Sequence, residues 1–241
     1  MSAREDIAPG IVQVRRCLDA ATCADACAAV EEALERARRG RVDAADWSPT
    51  SSSLRYAAVA ALPPDALSVI DALLRALGRD LLGLDVSCDL ESSWWRRQYP
   101  PHLAPPLHGA HSWHQDGALG FDFLAHPEGS ADARALRQVV TCWIALTPCG
   151  REAPSLELLA ASTAGVLGLD ALDDRALRRA HPAECLVRPV LDAGDALVFG
   201  GAVPHRTHVA PSMQRSRTSV ELRAFGDGVS PPQVCVRRSA T

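Results

Sequence analysis

The stretch "GDALVFGGAVPHRTHVAPSMQRSRTSVELRAF", Gly194 to Phe225, decides how the rest of the chain is read. Two short apolar runs, 195–201 and 218–225, are bounded by Gly, Pro and Ser, the composition of β-strands separated by turns. Between them lie two histidines, His205 and His208, and an arginine, Arg217, that leads directly into the second run. If 205–209 is extended, His205 and Thr207 share one face and His208 points to the other. Similar short runs occur upstream as "VVTCWIAL" (139–146) and "ECLVRPVL" (184–191), and downstream as "QVCVRR" (233–238).

The first third has a different rhythm. "TCADACAAVEEALERARRG" places Ala26, Val30, Ala33 and Leu34 at helical spacing, with Thr22 as the expected N-cap and Gly40 as the stop. "PPDALSVIDALLRALGRDLLG" predicts a second helix with Leu67, Ile70, Leu73, Leu74 and Leu77 as its buried stripe. Residues 1–85 are therefore expected to be mostly helical support, and 86–241 a β core, within a single domain. Helices first and strands afterwards imply a sandwich or closed roll with helices packed outside. Residues 121–136, "FDFLAHPEGSADARAL", are long for a connection and are expected to form a lid, with Phe121 and Phe123 as candidate substrate contacts.

Composition narrows the function classes. At 241 residues, 47% hydrophobic and 22% charged, the chain is an ordinary globular protein. A net charge of −4 gives no reason to expect nucleic acid or an anionic membrane as partner. Every basic residue is arginine, which fits a GC-rich coding genome. No apolar run approaches the ~20 residues of a membrane helix, and "MSAREDIAPG" lacks a signal-peptide pattern. Eight cysteines without a C-x-x-C pair are expected to be reduced thiols in a cytoplasmic protein.

Upstream, "SWHQDGALGF" (112–121) sets His114 and Asp116 two residues apart. On a strand these would project to one side, about 7 Å apart, offering an imidazole and a carboxylate to one point. Two ligands rarely hold a divalent metal, and His205 downstream supplies a third. Two histidines and one carboxylate with open positions opposite are the donor set of non-heme Fe(II) oxygenases. An arginine just past the distal histidine suits the carboxylate of a 2-oxo acid cosubstrate. His208 is the rival third ligand.

Four blocks, "WHQDG", "VTCWIALTPCGREAPSLELL", "GDALVFGGAVPH" and "RTSVELR", stand in order between residues 112 and 223. Together they resemble the phytanoyl-CoA dioxygenase-like branch of the Fe(II)/2-oxoglutarate oxygenases. The resemblance implies a double-stranded β-helix, the cupin-like jelly roll, mainly β with flanking α-helices. It also implies Fe(II), 2-oxoglutarate and O2 as cofactor and cosubstrates, and hydroxylation of a small molecule as the reaction. Residue by residue, His114, Asp116 and His205 match the metal ligands. Arg217 matches the anchor of the far 2-oxoglutarate carboxylate, with Ser219, Thr207 and Trp143 close to that cosubstrate. The family's usual turn at the end of the second block appears as "APSLELLAASTAG", without its terminal histidine.

Other readings stand beside these. The run His108, His111, His114 resembles a zinc cluster, but the Pro and Gly around it predict a loop in which His108 and His111 line an entrance or face solvent. Arg96 and Arg97 either hold an acidic substrate group or are solvated, and Arg97 and Trp113 are kept as substrate candidates. The same centre also supports desaturation, cyclisation or epimerisation. A jelly roll that binds metal or ligand without turnover is the alternative from another class, and Arg217 with Ser219 argues against it.

Overall fold

The computed structural model describes residues 3–118, 138–161, 163, 165–168 and 170–226. The expected lid at 121–136, Phe121 and Phe123 within it, and the expected strand at 233–238 lie outside these residues. In chain order the elements are β1 (Arg4–Ala8), β2 (Ile11–Val14), α1 (Ala20–Arg38), β3 (Trp47–Ser48), β4 (Ser53–Arg55) and α2 (Pro64–Leu82). Then follow β5 (Val86–Gln98), β6 (Val139–Ala145), β7 (Ser155–Leu159), α3 (Asp174–Ala180) and β8 (Leu186–Val187). The last three are β9 (Ala196–Gly200), β10 (His205–His208) and β11 (Arg217–Gly226).

Eight strands form a large sheet in the order β1-β2-β9-β6-β11-β5-β4-β3, and three form a small one, β10-β7-β8. Neighbouring strands run antiparallel. This is the mainly β jelly roll with flanking helices that the sequence implies. The N-terminal third is less helical than its composition suggests. It contributes four strands to the large sheet besides α1 and α2, and β2 docks on β9 from far away in sequence.

Alternation along the central strands explains the layers. Val140, Cys142 and Ile144 of β6, Ala196 and Val198 of β9, and Val220, Leu222 and Ala224 of β11 form one core with the apolar stripes of α1 and α2. The opposite face of the same strands carries Trp143, Ala145, Leu197 and Phe199, which pack with Leu156 and Leu158 of the small sheet. Buried on both faces, β6 reads as an apolar run broken only by Thr141.

Local signals place the helices. Asp19, rather than Thr22, caps α1: its carboxylate accepts the Thr22 N–H at 2.7 Å. Pro64 occupies the first turn of α2, and Gly83 ends it in the left-handed conformation at φ 69°. The expected strand at 184–191 shrinks to Leu186–Val187, because 183–185 coil into a 3-10 turn and Pro189 has no N–H to offer a ladder.

The Gly-Asp pair at 194–195 has a structural task. Gly194 has φ 87°, and a Cβ there would lie 2.1 Å from the Leu18 carbonyl oxygen. Asp195, 1% exposed, accepts Arg15 Nη1 at 2.7 Å and the backbone N–H of Arg16 at 3.0 Å. The pair therefore fastens the segment before α1 to the start of β9. Gly194→Ala should cost about 2–5 kcal/mol, combining left-handed strain with overpacking. A chemical-denaturation midpoint within error of wild type would contradict that packing role.

Candidate metal centre and cosubstrate pocket

His114, Asp116 and His205 come together with their donor atoms all within 4.8 Å of one another. Asp116 Oδ1 lies 3.9 Å from His114 Nε2 and 3.8 Å from His205 Nε2. Each imidazole is oriented from behind. The His114 Nδ1–H donates to the Ser112 carbonyl at 2.7 Å, and the His205 Nδ1–H to the Val203 carbonyl at 3.0 Å. Both Nε2 lone pairs are thereby directed at the shared space, as metal-binding histidines require.

The segment carrying His114 and Asp116 is not the strand that its spacing suggested. His114 forms an isolated antiparallel bridge to His205, with two N–H to O distances of 2.9 Å. Asp116 then opens a 3-10 turn, Asp116–Ala118. The turn is docked on the end of β9, where the Gly117 N–H donates to the Gly201 carbonyl at 3.0 Å. A Cβ on Gly201 would lie 2.9 Å from the Gly117 backbone, so the close approach needs glycine there. Gln115, between the two donors, turns away: its amide donates to the Ala202 carbonyl at 2.9 Å and its oxygen accepts the Leu167 N–H at 2.8 Å.

Asp116 is fully buried and held at both oxygens. Thr141 Oγ1 donates to Oδ2 at 2.5 Å and Arg223 Nη2 to Oδ1 at 3.2 Å. Burial alone would raise its carboxyl, but the Arg223 cation, with His205 and His114, outweighs burial and holds it well below the usual carboxylate range. Burial pushes His114 down to about 4, the neighbouring His205 adding to it, and burial also lowers His205. The site at neutral pH therefore offers two neutral imidazoles and one carboxylate. That donor set fits Fe(II).

A second buried cation lies on β11, six residues before Arg223 and on the same face. Arg217, 0% exposed, has no hydrogen-bond partner among the described residues at Nε, Nη1 or Nη2, and its guanidinium stacks on Trp143 at 4.6 Å. Burial pulls it down to about 9, so it stays charged at neutral pH. Among the described residues no carboxylate forms an ion pair with it, and a buried charge left so costs several kcal/mol, which a bound anion would offset. Thr207 Oγ1, also buried, has no partner among the described residues either, and Ser219 is buried two residues beyond Arg217. Ser219 shares a face of β11 with Arg217, and Thr207 faces inward from β10 of the small sheet.

The alternation along β10 puts His205 and Thr207 inside and His208 outside, opposite Ser155. Two substrate candidates point elsewhere. Arg97 lies on the helix side of β5, paired with Glu31 and donating to Ser216 Oγ at 3.1 Å. Trp113 packs with Leu159, Leu172 and Leu177, donates to Asp174 at 3.1 Å and lies under the Arg206 guanidinium. Arg206 is anchored in turn on buried Glu157, which also binds Arg188. His108 is held by Ser52 and Gln98, away from any shared metal position. Sequence reasoning passed over Thr141 and Arg223, yet both lie at even spacing from Trp143 and Arg217, on the same strand faces.

Comparison with known proteins agrees with this geometry. Residues 8–219 match the family model described as phytanoyl-CoA dioxygenase. No curated protein matches the sequence. Among solved structures, EctD from S. alaskensis with 2-oxoglutarate and 5-hydroxyectoine is 20% identical, with a TM-score of 0.61 over 93% of this chain and 79% of that one. The epimerase SnoN, in complex with Fe3+, alpha ketoglutarate and nogalamycin RO, is 18% identical, with a TM-score of 0.55 over 90% and 79%. The carbocyclase SnoK from nogalamycin biosynthesis is 17% identical, with a TM-score of 0.58 over 90% and 80%. Fe(II) and 2-oxoglutarate are accordingly this protein's cofactor and cosubstrate. With the match running from residue 8 to residue 219, most of its length, the chain belongs to the phytanoyl-CoA dioxygenase family.

Proposed function

We propose that the protein is a single-domain hydroxylase that oxidises an unactivated C–H bond of a small molecule, using Fe(II), 2-oxoglutarate and O2. In this reading His114, Asp116 and His205 hold the iron. Arg217, Ser219, Thr207 and Trp143 hold the far carboxylate of 2-oxoglutarate. The observation that carries it is the buried Arg217, without a hydrogen-bond partner among the described residues, together with a two-histidine, one-carboxylate donor set. A module that merely bound metal would gain nothing from the cost of that charge.

When bound, iron and 2-oxoglutarate supply the oxidative chemistry, in which the cosubstrate is decarboxylated to succinate. The chain's own residues position the reactants. Thr141 and Arg223 fix the rotamer of Asp116, Phe199 packs on the His205 ring at 4.7 Å, and Ser112 and Val203 hold the imidazole tautomers. Arg217, Trp143 and Thr207 exclude water from one end of the cosubstrate. The described cysteines are free thiols, as suits a cytoplasmic enzyme, and among the described residues no helix is long and apolar enough to cross a membrane.

The test is succinate release coupled to analysis of the product by mass. Hydroxylation adds one oxygen atom. Cyclisation or desaturation removes two hydrogens, and epimerisation leaves the mass unchanged. A product without added oxygen would replace hydroxylation with one of these outcomes at the same centre. Failure to bind 2-oxoglutarate at all would remove the oxygenase reading.

A further inference from the structure

The inner face of the large sheet carries a cation that neither the metal centre nor the cosubstrate pocket uses. Arg96 lies on β5, directly between Ser53 of β4 and Ser219 of β11. Its flanking neighbours Trp95 and Arg97 point to the helix side, where Trp95 is in the core and Arg97 meets Glu31. Arg96 itself points inward and remains only partly covered. Its Nε donates to Ser53 Oγ at 3.0 Å. Among the described residues no carboxylate forms an ion pair with it, and its two terminal nitrogens have no recorded hydrogen-bond partner.

The other inner-face arginines have their counter-charges assigned. Arg223 is paired with Asp116 and Glu221. Arg217 is the anchor proposed for 2-oxoglutarate. Arg96 is near enough to the centre for its charge to depress His111 and His205. Burial also draws Arg96 itself down to about 10, a charge held at some cost.

The charge balance of the loaded site points the same way. Three arginines face two carboxylates, Asp116 and Glu221, while the histidines are neutral. Fe(II) and the 2-oxoglutarate dianion cancel each other. Among the described residues one positive charge is left over, and Arg96, which feels Glu221 and Asp116 only through space, is the arginine left without an ion pair or an assigned ligand.

We propose that Arg96 recognises an oxyanion, carboxylate or phosphate, on the substrate, so that this enzyme acts on anionic small molecules. The proposal rests on the oxygenase reading above and adds a substrate class to it. Arginine presents two parallel N–H donors to such a group, which orients the substrate as well as holding it. Bound at β5, beside Ser219, the anion would fix one end of the substrate and leave its C–H end to face the iron.

The experiment is arginine modification by phenylglyoxal, mapped by peptide mass, on protein loaded anaerobically with Fe(II) and 2-oxoglutarate at constant ionic strength. Acetate, inorganic phosphate and neutral acetamide are the probes. Arg96 should react while Arg217 is shielded by the cosubstrate. Acetate or phosphate at about ten times its Kd should slow the reaction of Arg96 about tenfold, following simple occupancy. Acetamide should not slow it, and whichever anion protects at lower concentration identifies the group as carboxylate or phosphate. Arg96→Gln should keep Fe(II) and 2-oxoglutarate affinities within about twofold, because it removes neither a ligand nor the cosubstrate anchor.

The proposal is overturned if Arg96 is inert in the loaded protein, if neither anion protects it, or if acetamide protects it equally. It is also overturned if Arg96→Gln loses 2-oxoglutarate, since Arg96 would then belong to the cosubstrate. Failure of the wild-type protein to bind Fe(II) and 2-oxoglutarate would instead overturn the oxygenase reading.

Discussion

His205→Ala should abolish Fe(II) binding in an anaerobic titration, and His114→Ala and Asp116→Ala should do the same. Each removes one of only three donors, so the loss should exceed the roughly 10–100-fold that follows from deleting a supporting residue. Thr141→Ala is such a deletion, because Thr141 holds the second oxygen of Asp116 at 2.5 Å, and its loss should fall within that range. His208→Ala should leave iron affinity unchanged, since β10 turns that ring to the opposite face. Iron retained in His205→Ala and lost in His208→Ala would reverse the assignment of the distal ligand.

The second large effect has two signs. Arg217→Ala should weaken 2-oxoglutarate by about 2–5 kcal/mol, the range for truncating one partner of a buried charge pair. Iron affinity should change little. In the absence of cosubstrate, however, Arg217 is a buried charge with no hydrogen-bond partner among the described residues. Arg217→Met, which fills similar space without charge, should therefore melt at or above the temperature of the unliganded wild type. Adding 2-oxoglutarate should raise the melting temperature of the wild type and leave that of Arg217→Met unchanged. If both proteins respond equally to the cosubstrate, Arg217 is not its anchor.

The donor set was readable because its roles demand particular residue types at strand parity. His205 and Thr207 are two apart, as are Arg217 and Ser219, and each pair does share a face. The shape of the H-x-D segment was hidden, because the contact between Gly117 and Gly201 that makes it a turn is set by tertiary docking. Arg96 and Arg97 were inseparable for a different reason. "SSWWRRQ" has no alternation of polar and apolar residues, so the facing of β5 depends on its pairing with β11. Trp113 looked like a substrate contact because it adjoins His114, yet α3 and Arg206 draw it into separate packing. The hairpin of β1 and β2 was missed because "REDIAPGIVQV" is short and its sheet partner is remote.

The order of strands in the large sheet bears on how the protein is made. The hairpin of β1 and β2 is synthesised long before its sheet partner β9, and Arg15 meets Asp195 across 180 residues. Contacts this distant form slowly and leave strand edges open in the meantime. The last of the described strands, β11, lies between β6 and β5 and joins them. A nascent chain halted before Arg217 therefore holds two unconnected sheet fragments, β9 with β6 on one side and β5 with β4 on the other. Each exposes the edge that β11 would have covered, and such edges are where newly made chains adhere to one another.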